Sequence, residues 1–134
     1  MAKYILKTET NCCSYEFINR ILFVTLKEDA ELTVDIVKKE IEITEKIVGD
    51  VEYAVFIDVT KNLAISPEVR KLMANYKPRN IKGAALLSDM NLATQLLVNF
   101  YIKFDKPKVP NKIFKDRDEA ISWLRLKLYD KVLA

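Results

Sequence analysis

Residues 53–59 read Tyr-Ala-Val-Phe-Ile-Asp-Val. The run before Asp58 is apolar without alternation, which marks a strand covered on both faces, as central strands of layered α/β sheets are. Downstream, Ser66-Pro67-Glu68 is a helix start. A hydroxyl caps the free amides, proline fits the first turn, and an acid faces the positive end of the dipole. Val69, Leu72, Met73 and Tyr76 form the buried face of that helix, and Lys77-Pro78 ends it. Residues 81–88, Ile-Lys-Gly-Ala-Ala-Leu-Leu-Ser, read as a second buried strand, and its small Gly83, Ala84 and Ala85 admit a closely packed helix.

Beyond it the spacing predicts a helix over about 90–102, with Leu92, Ala93, Leu96, Leu97, Phe100 and Tyr101 inward. Residues 105–110 hold two prolines and read as a loop, and 112–115 as a short strand. Asp116-Arg-Asp-Glu119 is a capping box for a last helix that buries Ala120, Ile121, Trp123, Leu124 and Leu128. Upstream, Thr33 caps a helix running to about Val48, with Val37, Ile41, Thr44 and Val48 on one stripe and Gly49 as its stop. Residues 14–19 and 21–26 form a hairpin about Asn19-Arg20. The expected order is β-β-α-β-α-β-α-β-α: parallel strands joined by right-handed crossovers, with an N-terminal hairpin at one edge. The whole of 1–134 reads as one domain.

Composition narrows the chemistry. Half of the 134 residues are hydrophobic and 31% are charged, a balance that supports a real core. A net charge of +3 is too weak to argue for nucleic acid. The chain has no histidine, so Ser-His-Asp and Cys-His sites cannot be built. Its two glycines, Gly49 and Gly83, exclude a glycine-rich phosphate loop. Cys12 and Cys13 are adjacent, a spacing that strains a mutual disulfide, and they make no metal site alone. Two free thiols, no signal peptide and no run of apolar residues long enough to span a bilayer point to the cytoplasm. No cofactor is expected.

Four features stand out. The segment from Asp58 to Ser66 joins the carboxyl end of a central strand to a helix start, where parallel sheets commonly bind partners. The simpler reading is structural: Asp58 ties down the loop amides, and capping alone explains Ser66. Lys103, Lys106, Lys108, Lys112, Lys115 and Arg117 form a basic stretch, but Asp105, Asp116 and Asp118 interrupt it, as on an ordinary solvated face. Peripheral contact with a membrane surface is accordingly disfavoured. Phe100, Tyr101, Phe104 and Phe114, with Met90 nearby, either line an apolar pocket or, as helical spacing alone predicts, belong to the core. The paired cysteines read as an incidental feature of a strand edge.

Phe56-Ile-Asp-Val-Thr60, the Ser66-Pro-Glu helix start, Gly83-Ala-Ala-Leu-Leu87, Asp105-Lys-Pro-Lys-Val-Pro110 and Phe114-Lys-Asp-Arg-Asp-Glu-Ala-Ile-Ser-Trp-Leu124 together resemble the SpoIIAA-like, or STAS/SEC14-type, small bacterial proteins, over about residues 14–126. The resemblance implies a mixed sheet with helices mainly on one face. It also implies a regulatory role: in the better-known branch, anti-sigma factor antagonists bind a kinase-like partner, and a serine at the second helix start is phosphorylated. Here the phosphorylatable position falls on Pro67 or Glu68, Ser66 stands one or two positions early, and the branch's glycine is absent.

The leading expectation is therefore a non-enzymatic interaction module with a protein partner, using Asp58, Thr60, Lys61, Asn62, Ser66, Glu68 and Arg70. The alternative is a small apolar-ligand or lipid-binding protein of SEC14 type, with a pocket among Met90, Leu97, Phe100, Tyr101 and Phe104. An exposed hairpin edge or an apolar helix face offers a route to a homodimer.

Overall fold

A computed structural model of the chain describes residues 6–28, 30–61, 65–78, 80–89, 95, 96, 99 and 101–133. Six strands form one sheet: β1 (Leu6–Glu9), β2 (Cys13–Ile18), β3 (Ile21–Leu26), β4 (Tyr53–Asp58), β5 (Ile81–Leu87) and β6 (Asn111–Phe114). They lie side by side in chain order. β1, β2 and β3 are antiparallel neighbours, and β3 to β6 pair in parallel. Three helices are described: α1 (Val34–Val48), α2 (Pro67–Asn75) and α3 (Arg117–Leu133).

The hairpin forms where the sequence places it, with Ile18 opposite Ile21. Its turn lacks glycine, yet Asn19 and Arg20 both take positive φ, 51° and 68°. Two such residues match the twist of the flanking strands. Asparagine tolerates that region; arginine does so at a cost. Here the Arg20 side chain is anchored: Nε donates to Glu52 O at 2.8 Å, and the guanidinium lies 5.4 Å from the Tyr129 ring centre.

β1 is an addition to the expected order. Leu6-Lys-Thr-Glu carries no strand-like apolar pattern, so only its pairing with β2 defines it. It turns the expected hairpin edge into an outer strand bearing Lys7 and Glu9, and charged edges resist further strand addition.

The sheet buries both faces. On one, Tyr15, Leu22, Val24, Tyr53, Val55 and Leu86 form a core with Val48, Ile36, Ile43 and Ile47 of α1. On the other, Ile21, Ala54, Phe56, Ala85 and Phe114 pack against Ala120, Leu124 and Leu128 of α3. α1 and α2 thus share a face, whereas α3 crosses to the opposite one. β4 is buried from Tyr53 to Phe56, alternating between the two cores, which is why its sequence shows no alternation.

The caps form as expected. Thr33 accepts from Ile36 N, and Glu119 N donates to Asp116 Oδ2 at 2.9 Å. Gly49 ends α1 at φ 58°, a value that favours glycine. Gly83 serves close packing: a Cβ there would meet Lys127 Cγ at 3.2 Å and the Trp123 ring at 3.6 Å.

The expected helix over 90–102 differs in part. Residues 95, 96 and 99 are helical, and Tyr101–Asp105 form a π-helical turn. Leu96, expected inward, is 62% exposed. A wider turn rotates the residues within and after it, so a strict 3.6-residue stripe does not carry through Tyr101–Asp105.

Candidate functional site

The loop after β4 is held by three polar tethers. Asp58 Oδ1 accepts from Thr60 N at 2.9 Å and from Thr60 Oγ1 at 2.6 Å, closing an Asx turn at the strand tip. Ser66 Oγ accepts from Val69 N at 3.3 Å and caps α2. Arg70 Nε donates to Asp105 Oδ2 at 3.1 Å, which ties α2 to the π-helical turn. Asp58, Thr60, Ser66 and Arg70 therefore build the loop, while Lys61, Pro67 and Glu68 stand exposed on it. Asn62 lies outside the described residues.

Beside the loop the surface is basic. Lys71 of α2 is exposed, and so are Lys103, Lys106 and Lys108. The nearest acid on that turn, Asp105, is taken by Arg70. Lys108 N donates to Ala74 O at 3.0 Å, fixing the basic segment against the end of α2.

A second feature is a partly open pocket beneath the helices. Between the α1/α2 side of the sheet and the helices is a cavity of about 190 Å³. Its floor is aliphatic, including Leu22, Val55, Ala84 and Leu86, and its roof includes Ile41, Met73 and Tyr101. Of the expected pocket residues, Tyr101 lines it; Met90, Leu97, Phe100 and the Phe104 side chain lie outside the described residues. Burial, and next the charge of Asp105, push the Tyr101 hydroxyl up to about 12.

The cavity has a polar group at each end. At one, Glu40 Oε1 accepts from Tyr15 Oη at 2.7 Å and from Thr10 Oγ1 at 2.8 Å. Cys13 lies beside them, and burial followed by the Glu40 charge pushes its thiol up to about 12. At the other end stand Tyr53 and Tyr76. Burial raises both hydroxyls above their ordinary range, and the nearby Tyr76 adds to the rise at Tyr53. Tyr76 Oη is buried and makes no hydrogen bond among the described residues.

The sequence reading passed over this tyrosine pair and the Tyr15–Glu40 contact. The available signal was tyrosine in strands otherwise lined by aliphatic residues, since a buried hydroxyl on a covered face needs a partner. Which partner follows only from register and helix placement.

Among the described residues, no group of three His, Cys, Asp or Glu is placed to hold a metal ion. No described helix is long and apolar enough to cross a membrane.

One solved structure agrees on the architecture. A crystal structure of an uncharacterised protein of the DUF3478 family from Shewanella loihica PV-4, described as having a SpoIIAA-like fold, matches with a TM-score of 0.50 at 16% identity, covering 92% of this chain and 94% of that one. A protein of unknown function from Arthrobacter sp. FB24 aligns at 20% identity over 90% of this chain and 99% of its own, with a TM-score of 0.30. No curated protein matches the chain. The fold is SpoIIAA-like, a mixed α/β sheet flanked by helices. Residues 15–127 match the model of a domain of unknown function, DUF7793, and the chain belongs to that family.

Proposed function

We propose that the protein is a non-enzymatic regulatory module that works by docking a partner protein on the β4–α2 loop and the exposed side of α2. The observation that carries this reading is the division of labour in the loop. Asp58, Ser66 and Arg70 spend their hydrogen bonds on holding it, while Lys61, Pro67, Glu68 and Lys71 face solvent. Side chains held at both ends of the loop lose little conformational entropy on binding. Lys71 on α2, with Lys106 and Lys108 beside the helix, makes it basic, so the partner it suits presents an acidic face. The likeness to anti-sigma factor antagonists supports the same class of role, without the serine switch of that branch.

The test is affinity capture from extracts of the source cells, followed by reconstitution with the purified captured protein. The paired substitution Lys61→Glu and Lys71→Glu reverses exposed charges without touching the tethers. The reading expects the variant to keep its melting temperature and to lose the partner at least tenfold, with wild-type binding that weakens as salt rises. A reconstituted complex that ignores both the substitutions and salt would remove this surface from consideration.

A further inference from the structure

The cavity between the sheet and α1/α2 carries an inference independent of partner docking. We propose that it is a binding site for one neutral, mostly apolar small molecule carrying a single hydrogen-bonding group, of the phenol or indole class, with Tyr76 Oη as its polar anchor.

Size comes first. The cavity measures about 190 Å³. An apolar cavity of about 150 Å³ admits benzene, and sites for drug-sized ligands start at roughly 300 Å³. The space therefore suits one or two fused rings, and is too small for a two-chain lipid.

Charge narrows the class. Glu40 is the one ionisable acid among the described lining residues, and no lysine or arginine is among them. An anion would enter an apolar space with no counter-charge, at a large desolvation cost. A cation would look to Glu40, whose Oε1 already accepts from Tyr15 and Thr10, or to Glu45, whose charge reaches Tyr53 and Tyr76 but which stands exposed outside the lining.

The polar anchor follows from an unsatisfied atom. Tyr76 Oη is buried and, among the described residues, makes no hydrogen bond of ordinary geometry, with only the Tyr53 hydroxyl close by, and a buried hydroxyl left so costs stability. It sits far from the Glu40 end. Tyr15 pairs with Val24, which pairs with Ile57, four residues along β4 from Tyr53. Four residues of strand span about 13 Å. One small molecule reaching Tyr76 with its polar group therefore lays its rings over the aliphatic floor at Val55 and Ala84.

The experiment uses the purified full chain, with saturation-transfer NMR and calorimetric titration against phenol, indole, benzoate and benzylamine. Phenol and indole are expected to bind, and benzoate and benzylamine at least tenfold more weakly. Ala84→Leu fills the floor and is expected to abolish binding. Tyr76→Phe keeps the ring and removes the hydroxyl; it should weaken phenol and indole by roughly three- to tenfold, one neutral hydrogen bond. It should also raise the melting temperature of the empty protein, because it deletes an unsatisfied group. That crossed pattern is one that a merely structural tyrosine does not produce. Three results overturn the proposal: a cavity that holds water only, so that none of the four probes binds; phenol binding unchanged in Ala84→Leu; or benzoate or benzylamine binding as tightly as phenol.

Discussion

Arg70 and Asp105 form an ion pair at 3.1 Å with side chains only 15% and 9% exposed, joining the start of α2 to a turn 35 residues away in sequence. Removing one partner of a pair this withdrawn leaves a charge without its complement. Asp105→Ala is expected to cost about 3 kcal/mol in urea unfolding. The double substitution Arg70→Met and Asp105→Leu should recover most of that loss, because apolar replacement of a buried pair is often close to neutral. A double variant no more stable than Asp105→Ala would show that the pair's geometry, and not the stranded charge, sets the cost.

The cap of α2 gives a second prediction. Ser66→Ala should lower stability by about 1 kcal/mol, since Val69 N loses its acceptor. Ser66→Asp keeps an acceptor and places a negative charge at the positive end of the helix, so it should match the wild type or exceed it. Thermal denaturation of the three proteins at low salt ranks them directly.

Packing under α3 gives a third. Gly83→Val drives a branched side chain into Lys127 and Trp123, and should cost about 1–3 kcal/mol with a weakened near-ultraviolet signal from Trp123. Gly83→Ala meets chiefly the stem of Lys127 and should be far milder.

The pH dependence has a definite sign. Burial lifts the Cys13 thiol from an ordinary 9.0 to about 12, and the Tyr101 hydroxyl from 10.0 to about 12. Each favours its neutral form in the folded chain. Their contributions are therefore fully present below about pH 9 and are lost as pH rises toward 12. Unfolding free energy should be flat with respect to these groups near neutrality and fall through that alkaline window. Alkylation of Cys13 by iodoacetamide at pH 8 should be slow in the folded chain and fast in urea. Rapid labelling of folded protein would contradict the burial of this thiol.

Much of this architecture is legible in local pattern. β4 declares itself through an apolar run that serves two cores, and α1, α2 and α3 through their caps at Thr33, Ser66 and Asp116. β1 stays silent because an outer strand with one apolar residue owes its form to its neighbour. The inward face assigned to Leu96 fails, and the π-helical turn at Tyr101–Asp105 breaks the 3.6-residue period that the spacing extends to 102. Asp58 pairs with Thr60 at the strand tip and Ser66 caps α2, both contacts being local, but the Asp105 partner of Arg70 has no local signature. The cavity depends on contacts among β2, β4, α1 and α2, and no short window of sequence contains them.

The order of the strands in the sheet repeats their order in the chain. As the polypeptide leaves the ribosome, each new strand meets a template that has already emerged, and nothing has to be threaded or inserted later. The cover for Ile21, Ala54, Phe56 and Ala85 arrives only with α3, after residue 116. A nascent chain stalled before that point carries a greasy, uncapped slab, a natural target for chaperones and quality-control proteases.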